Sequence, residues 1–319
     1  MIEMRKLGRN GPEITTVGFG AWAAGGAWKV GWGPQSDDDS VAAIRRSLER
    51  GMNWIDTAAI YGLGHSEEVV GRAIRGLPRD EILVFTKCGR VPDETGTPRG
   101  DLRPDSIRRE IEASLRRLGT DHVDLYQIHW PDTVTGTPVE ASWETLAALQ
   151  DEGKARHIGV SNFDVELLAR CEAIRHVDSL QPPYSLLKRD IEAEILPWCR
   201  ENGVGVIAYS PMQSGLLSGT FDIGRLAEDD WRRRAPAFQE PQLSRNLALV
   251  ERLRPLAARH GRTVGQLAVA WTLMHPAVTG AIVGARRPMQ VDENAEAMGW
   301  RLGDDEMAEI EAAVKAAEV

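Results

Sequence analysis

The 319-residue chain is short of cysteine and of positive charge, and it contains no long apolar run. Its three cysteines, Cys88, Cys171 and Cys199, fit neither a zinc-ligand spacing nor a disulfide framework. No metal is expected, and a reducing compartment, the cytoplasm, is. The net charge of −9 and the isoelectric point near 5.4 argue against nucleic acid or an anionic membrane as the main partner. The opening segment Met-Ile-Glu-Met-Arg-Lys-Leu has no apolar signal core, and no run approaches the length of a membrane span. A Pro/Ser-rich linker, a charge block and a low-complexity tract are also missing, so residues 1–319 are expected to form one domain.

What is present is a rhythm. Residues 4–7 and 13–17 flank Asn10-Gly11, a two-residue turn signal that predicts an amino-terminal β-hairpin plugging one end of the fold. Short apolar strands are then expected at 17–22, 52–56, 82–87, 123–129, 155–160, 179–181, 204–209 and 278–283. Amphipathic helices separate them. Gly51 stops the first, Pro104 opens another at its first turn, Asp164 caps one, and Thr263-Val-Gly-Gln266 forms a capping box. A single helix is expected over 191–199, and a long loop from 210 to about 244. Strands this apolar, alternating with helices, suit a parallel sheet covered on its outside. Eight such units close into an α/β fold of the (β/α)8 TIM-barrel type. The repeat is architectural, with no repeated sequence motif.

The rival is an open doubly wound sheet, which needs a dinucleotide fingerprint. Gly18-Phe-Gly20-Ala-Trp-Ala23 loosely resembles one, but the glycine- and tryptophan-rich segment after it cannot open a helix. In a barrel, sites form where strands end at the carboxyl face. Those ends carry Asp56 with nearby Tyr61, Lys87, His129, Ser161-Asn162, Gln181, Tyr209-Ser210 and the segment 284–287. Singly, each has a plain structural reading: a buried ion pair for Lys87 and Asp56, a satisfied core histidine, a pocket wall for Tyr61, and turn residues for Asn162 and Gln181. Together they form a proton-transfer site. A free tyrosine has a pKa of about 10. An adjacent ammonium is expected to lower it, partly offset by Asp56, while His129 orients a substrate oxygen.

Five segments then carry a resemblance. Asp56-Thr-Ala-Ala-Ile-Tyr61-Gly, Phe85-Thr-Lys87, Asp124-Leu-Tyr-Gln-Ile-His129-Trp, Gly159-Val-Ser161-Asn162-Phe and Ala208-Tyr209-Ser210-Pro211 resemble successive motifs of the aldo-keto reductases, in order and over nearly the whole chain. The branch with Gly-His65-Ser66-Glu67-Glu68 after the tyrosine, and with Gly-Ala-Arg near the end, is the most similar. The resemblance implies a catalytic tetrad of Tyr61 as general acid/base with Asp56, Lys87 and His129. It implies a nicotinamide cofactor whose carboxamide is held by Ser161, Asn162 and Gln181 and whose ring stacks on Tyr209. Backbone and side chains around Ser210, Gly215, Leu216 and Ser218 would take the pyrophosphate, and Gly284, Arg286, Gln290 and Asn294 would lie toward the adenosine.

Where familiar eukaryotic members have Ile-Pro-Lys-Ser, this chain has Ile282-Val-Gly-Ala followed by Arg286 and Arg287. Either arginine could clamp a 2′-phosphate, which favours NADPH/NADP, with NAD possible. The chain also ends soon after its last helix, without the long terminal loop of some relatives. The substrate walls are then expected from Trp22, Trp28, Trp32, Trp130 and the 211–243 loop, in which Trp231-Arg-Arg-Arg234 reads either as a phosphate-side segment or as a solvated face. The implied activity is transfer of hydride between NADP(H) and an aldehyde, ketone or sugar carbonyl, or the corresponding alcohol, with reduction as the default direction. Two other readings are a nicotinamide-binding sensor with slow turnover and an aldolase using Lys87 as a Schiff base. The resemblance does not choose an oligomeric state.

Overall fold

The computed structural model describes residues 2–318. Met1 and Val319, the ends of the span read as one domain, lie outside the described residues. Eight strands form a closed parallel barrel: β1 (Val17–Gly20), β2 (Trp54–Asp56), β3 (Leu83–Cys88), β4 (Val123–Ile128), β5 (Ala155–Ser161), β6 (Ser179–Gln181), β7 (Gly205–Ala208) and β8 (Val278–Gly284). Neighbours in sequence are neighbours in space, and β8 pairs with β1 to close the ring, with Ala281 opposite Val17. Helices such as Asp37–Glu49, His65–Ile74 and Pro104–Leu118 pack around the outside.

Alternation along the strands separates two cores. In β3, Val84 and Cys88 face the helices, while Leu83 and Phe85 face the barrel axis. The interior is sealed by Trp54, Phe85, Leu125 and Ile207, with Leu7 and Ile14 contributed by the hairpin below. The indole of Trp54 donates to the Thr15 carbonyl at 2.8 Å, which ties plug to barrel. Gly18 makes room for it, since a Cβ there would sit 2.1 Å from the Trp54 ring.

Two local expectations give way. The hairpin pairs Met4–Lys6 with Glu13–Thr15, so residues 7–12 form a six-residue connection instead of a two-residue Asn-Gly turn. The reason is Leu7, which dives into the barrel floor with no exposed surface while its carbonyl takes the Gly11 N–H at 3.0 Å. The single helix expected over 191–199 is a short 3-10 turn at Asp190–Glu192 followed by an α-helix at Ile195–Asn202. Pro197 has no N–H and is accommodated best in a first turn, which suits the start at Ile195. The Pro104 start, the Asp164 cap and the Thr263–Gln266 capping box form as expected.

Outside the barrel, the fully buried Glu67 accepts from Thr86 of β3 at 2.7 Å and from Arg117 at 2.9 Å. This carboxylate anchors the helix after the Tyr61 turn to both a strand and the next helix. Removing only its counter-ion leaves a buried charge unpaired. Arg117→Ala is therefore expected to lose about 3 kcal/mol of unfolding free energy, read from the urea midpoint. A change within experimental error would show the pair to be dispensable.

Candidate active site

The inward phase that carries Trp54, Phe85 and Leu125 carries polar residues one step further up. Asp56 follows Trp54 by two positions, Lys87 follows Phe85, and Gln127 follows Leu125. Gln181 closes the layer from β6. The Lys87 ammonium is 1 % exposed and bonds the Asp56 carboxylate at 2.6 Å and the Thr57 carbonyl at 2.9 Å. Asp56, 3 % exposed, takes its second main contact from the Gln181 amide at 2.9 Å, with Gln127 farther off at 3.5 Å. Gln127 was not among the expected site residues. Its signal was in the sequence: it is a polar residue in the inward phase of an apolar strand.

Tyr61 reaches this layer from the turn after β2. Its hydroxyl lies 3.5 Å from Lys87 Nζ, and its ring stands edge-on to His129 with centroids 5.7 Å apart. The turn is held by the Thr57 and Ser66 hydroxyls at 2.8 Å and by Ser66 bonding the Ala21 carbonyl at 2.7 Å. Gly25 and Gly62 let two loops touch backbone to backbone, since a Cβ on Gly25 would lie 2.7 Å from the Gly62 nitrogen. The four tetrad candidates, from three separate segments, thus meet at one end of the barrel.

The electrostatics correct one expectation. Burial pushes the Tyr61 phenol above its ordinary pKa; Lys87 pulls it down and Asp56 pushes it up, and the net direction is upward. The ammonium opposes desolvation without overcoming it. For Lys87, burial acts to lower the pKa, but Asp56 and Tyr61 together outweigh it and keep the group protonated. A lysine so held is poorly suited to act as a Schiff-base nucleophile. Burial, with the charges of Lys87 and Arg90, holds His129 well below the ordinary histidine value, so its ring is neutral. Among the described residues its ring nitrogens bond no protein group.

A cavity of about 850 Å³ opens above the tetrad. Its lining includes Asp56, Tyr61, His129, Ser161, Asn162, Gln181, Tyr209, Ser210, Gly215, Ser218, Gly284, Arg286 and Gln290, together with Trp22, Trp28, Trp32 and Trp130. Ser161 donates to the Gln181 carbonyl at 2.7 Å, and Tyr209 donates to Asn162 Oδ1 at 2.9 Å. Asn162 and Ser210 both adopt left-handed backbone angles, φ 62° and 56°, where the chain turns out of β5 and β7.

Two expected residues are not on the wall. Leu216 is sealed in a small apolar cluster with Phe238 and Leu243, because the 3-10 turn at Gln213–Ser218 buries both of its leucines. Asn294 spends its amide on the Gly284 carbonyl at 3.2 Å, since it sits near the end of the helix Pro288–Ala295 and away from its open first turn.

Several wall residues had no clear sequence signal. Trp231 stacks on Trp22 with centroids 6.0 Å apart, and the Arg232 guanidinium lies 4.5 Å over the Trp32 ring while pairing with Asp230 at 2.7 Å. Of the 231–234 segment, Arg232 lines the cavity, and Trp231 backs the wall by stacking on Trp22. Val30, Arg90, Thr97, Met212 and Ser214 line it as well. These residues lie in loops and short turns, where no periodicity marks a facing side.

The residues suit a long, anionic, hydrogen-bonding ligand. Gly215, with φ 92°, leaves bare backbone on the wall. Arg286, Arg287 and Arg232 lie close enough for the last two to lower the pKa of Arg286, beneath the larger effect of its burial. Among the described residues neither Arg286 nor Arg287 has a carboxylate partner. The groups that could hold a metal ion, clusters of three or more His, Cys, Asp or Glu, do not occur among the described residues.

Comparison with known proteins agrees with this geometry. The profile of the Aldo/keto reductase family matches residues 16–315. The aldo-keto reductase YhdN of Bacillus subtilis is 38 % identical over 97 % of this chain and 92 % of its own length. An NADH-specific methylglyoxal reductase of Escherichia coli is 37 % identical over 93 % of this chain and 94 % of its own. Among solved structures, the glycerol dehydrogenase AKR11B4 from Gluconobacter oxydans superposes with a TM-score of 0.89 at 38 % identity, covering 98 % of this chain and 95 % of that one. With a closed eight-stranded barrel, a tetrad at its carboxyl end and a profile match over nearly its whole length, this chain belongs to the aldo/keto reductase family.

Proposed function

We propose that the chain, acting as one domain, is an NADP(H)-dependent reductase of aldehyde, ketone or sugar carbonyls, with Tyr61 as general acid/base. The observation that carries this reading is the meeting of Tyr61, Lys87, Asp56 and His129 beneath a cavity with an arginine-rich end. When bound, a nicotinamide supplies the hydride that a carbonyl carbon accepts. The protein's part is the proton. The neutral His129 ring has an N–H to offer the carbonyl oxygen and so orients it toward Tyr61. The Tyr61 phenol gives its proton to that oxygen as negative charge develops there. Lys87, 3.5 Å from the hydroxyl, stabilises the phenolate left behind, and Asp56 fixes the ammonium in place. Ser161, Asn162, Gln181 and Tyr209 would hold the nicotinamide end. Ser210, Gly215 and Ser218 would face the pyrophosphate, and Gly284, Arg286 and Gln290 the adenosine end.

For cofactor choice, the uncompensated guanidinium groups of Arg286 and Arg287 support a 2′-phosphate, hence NADPH over NADH. One relative is named as NADH-specific, so the preference is a property to measure on this chain. Arg286→Ala is expected to raise KM for NADPH by ~10–100-fold, the range of a charge-assisted contact, with a much smaller change for NADH. Equal effects on both cofactors would remove Arg286 from phosphate recognition.

Tyr61→Phe is expected to lower kcat for a reactive aldehyde by ~10²–10⁴-fold while NADPH still binds, as followed by cofactor fluorescence. Unchanged turnover would end the tyrosine's role.

The pH profile tests the same assignment. Reduction needs Tyr61 protonated and His129 neutral. The first pKa lies above 10.0 and the second well below 6.5. kcat/KM for reduction should therefore show no limb centred between pH 6.5 and 10.0, falling on the alkaline side as Tyr61 ionises and on the acid side as His129 gains a proton. A limb centred within that interval would contradict the burial argument.

A further inference from the structure

Arg90 is the one cavity arginine left without a strong partner. Arg232 is paired with Asp230, and Arg286 bonds Gln35 at 2.7 Å and the Pro34 carbonyl. Arg90 has a single long contact, to the Pro98 carbonyl at 3.4 Å, and among the described residues no carboxylate pairs with it. Burial lowers its pKa, although a guanidinium remains charged at any pH of interest.

The acids nearby do not compensate it. Glu110 accepts from the Gly89 N–H, one residue before Arg90, at 3.0 and 3.2 Å, but burial pushes its carboxyl up to about 8, so it is mostly uncharged near neutrality. Asp93, at the tip of the same hairpin, is engaged by the Thr95 hydroxyl and the Thr95 and Thr97 N–H groups. Asp56 is the sole carboxylate on the cavity wall, and Lys87 holds it. Arg90 therefore presents a nearly free positive charge to the cavity.

Its place in the fold separates it from the other arginines. Arg90 leaves β3, whereas Arg232 follows β7, four strands away in either direction round the eight-stranded barrel. Tyr61 and His129 follow β2 and β4, so Arg90 lies between them in the ring and is near enough to His129 to help keep it neutral. Its backbone is fixed by the antiparallel pairing of Arg90–Pro92 with Pro98–Gly100, where Arg90 faces Gly100. Trp28, Ile60, Thr97 and Trp130 line the same cavity.

We propose that Arg90 is a specificity-determining residue that binds the carboxylate of an anionic carbonyl substrate, an ω-oxo acid whose aldehyde end reaches Tyr61 and His129. This rests on the reductase reading above. A guanidinium presents paired donors that match a carboxylate, and a wall of tryptophan and isoleucine suits the short aliphatic link between the two ends.

The test compares 4-oxobutanoate with its methyl ester, using NADPH and the full chain. Wild type should show a kcat/KM ~10–100-fold higher for the acid, the range of a charge-assisted contact. Arg90→Ala and Arg90→Gln should lose that margin, chiefly through KM, with a loss on the acid at least about tenfold greater than on the ester; Arg90→Lys should restore part of it. Circular dichroism of each variant checks folding. A second readout needs no turnover: succinate, added to the protein with NADP, should quench the cavity tryptophans of wild type far better than succinamide, and Arg90→Gln should abolish the difference. Succinate binding that depends on Arg90, without reduction of any aldehyde, would keep this site and overturn the reductase reading. Ester and acid reduced equally well by wild type, or losing equally in the variants, would overturn the site and leave the reductase reading standing.

Discussion

The bond between Lys87 and Asp56 is the constraint on which the rest of the structure turns. Both groups are almost wholly buried, 2.6 Å apart, above a floor of Trp54, Phe85, Leu125 and Ile207. Burying two charges costs several kcal/mol per ion unless their geometry and further hydrogen bonds offset it. Here the Thr57 carbonyl takes a second ammonium proton and the Gln181 amide caps the second carboxylate oxygen. These partners come from β2, the residue after it, β3 and β6. The charged layer is therefore satisfied only when the barrel is closed, and the same closure that stabilises the fold assembles the proton-transfer group.

Alternation explains why so much of this was legible beforehand. A strand that is buried on both faces has no reason to end in a charged or amide side chain unless something at that end receives it. Asp56, Lys87, His129, Ser161 and Gln181 break the apolar pattern at the same end of successive strands, and the structure brings all but Lys87 onto one cavity wall, with Lys87 bonded to Asp56. Gln127 obeys the same rule and was overlooked because it sits inside its strand. Helix starts were equally readable, since Pro104, Asp164 and Thr263 act through backbone groups within three residues of themselves.

The loops resisted for the opposite reason. The Asn10-Gly11 turn signal is local, but the burial of Leu7 in the barrel floor is a contact with distant strands, and the distant contact sets the loop length. Leu216 and Asn294 were placed by resemblance, which carries a position and not the direction of a side chain. The 211–243 loop is expected on the wall, but which of its residues face inward is not readable: Arg232 lines the cavity and Trp231 backs it through a 3-10 turn too short to show a period, and their partners Trp32 and Trp22 lie some two hundred residues earlier. The phenol's pKa was misjudged in the same way. Charges adjacent in the motif were counted, whereas desolvation depends on everything packed around the ring.

Net charge misleads about the cavity for a related reason. The net charge of −9 describes the surface as a whole, yet salt screens exposed charges beyond about 8 Å. Inside the mouth the local groups decide. They are three arginines and one carboxylate, and that carboxylate is committed to a lysine. Two of the arginines follow β7 and β8, and one follows β3, on the tetrad's own side of the ring. A neutral carbonyl compound would need a positive charge on only one side of this ring, where a cofactor's phosphates lie. The cost of partly burying Arg90 without a counter-ion, on the far side, is what an anion arriving with the substrate would offset.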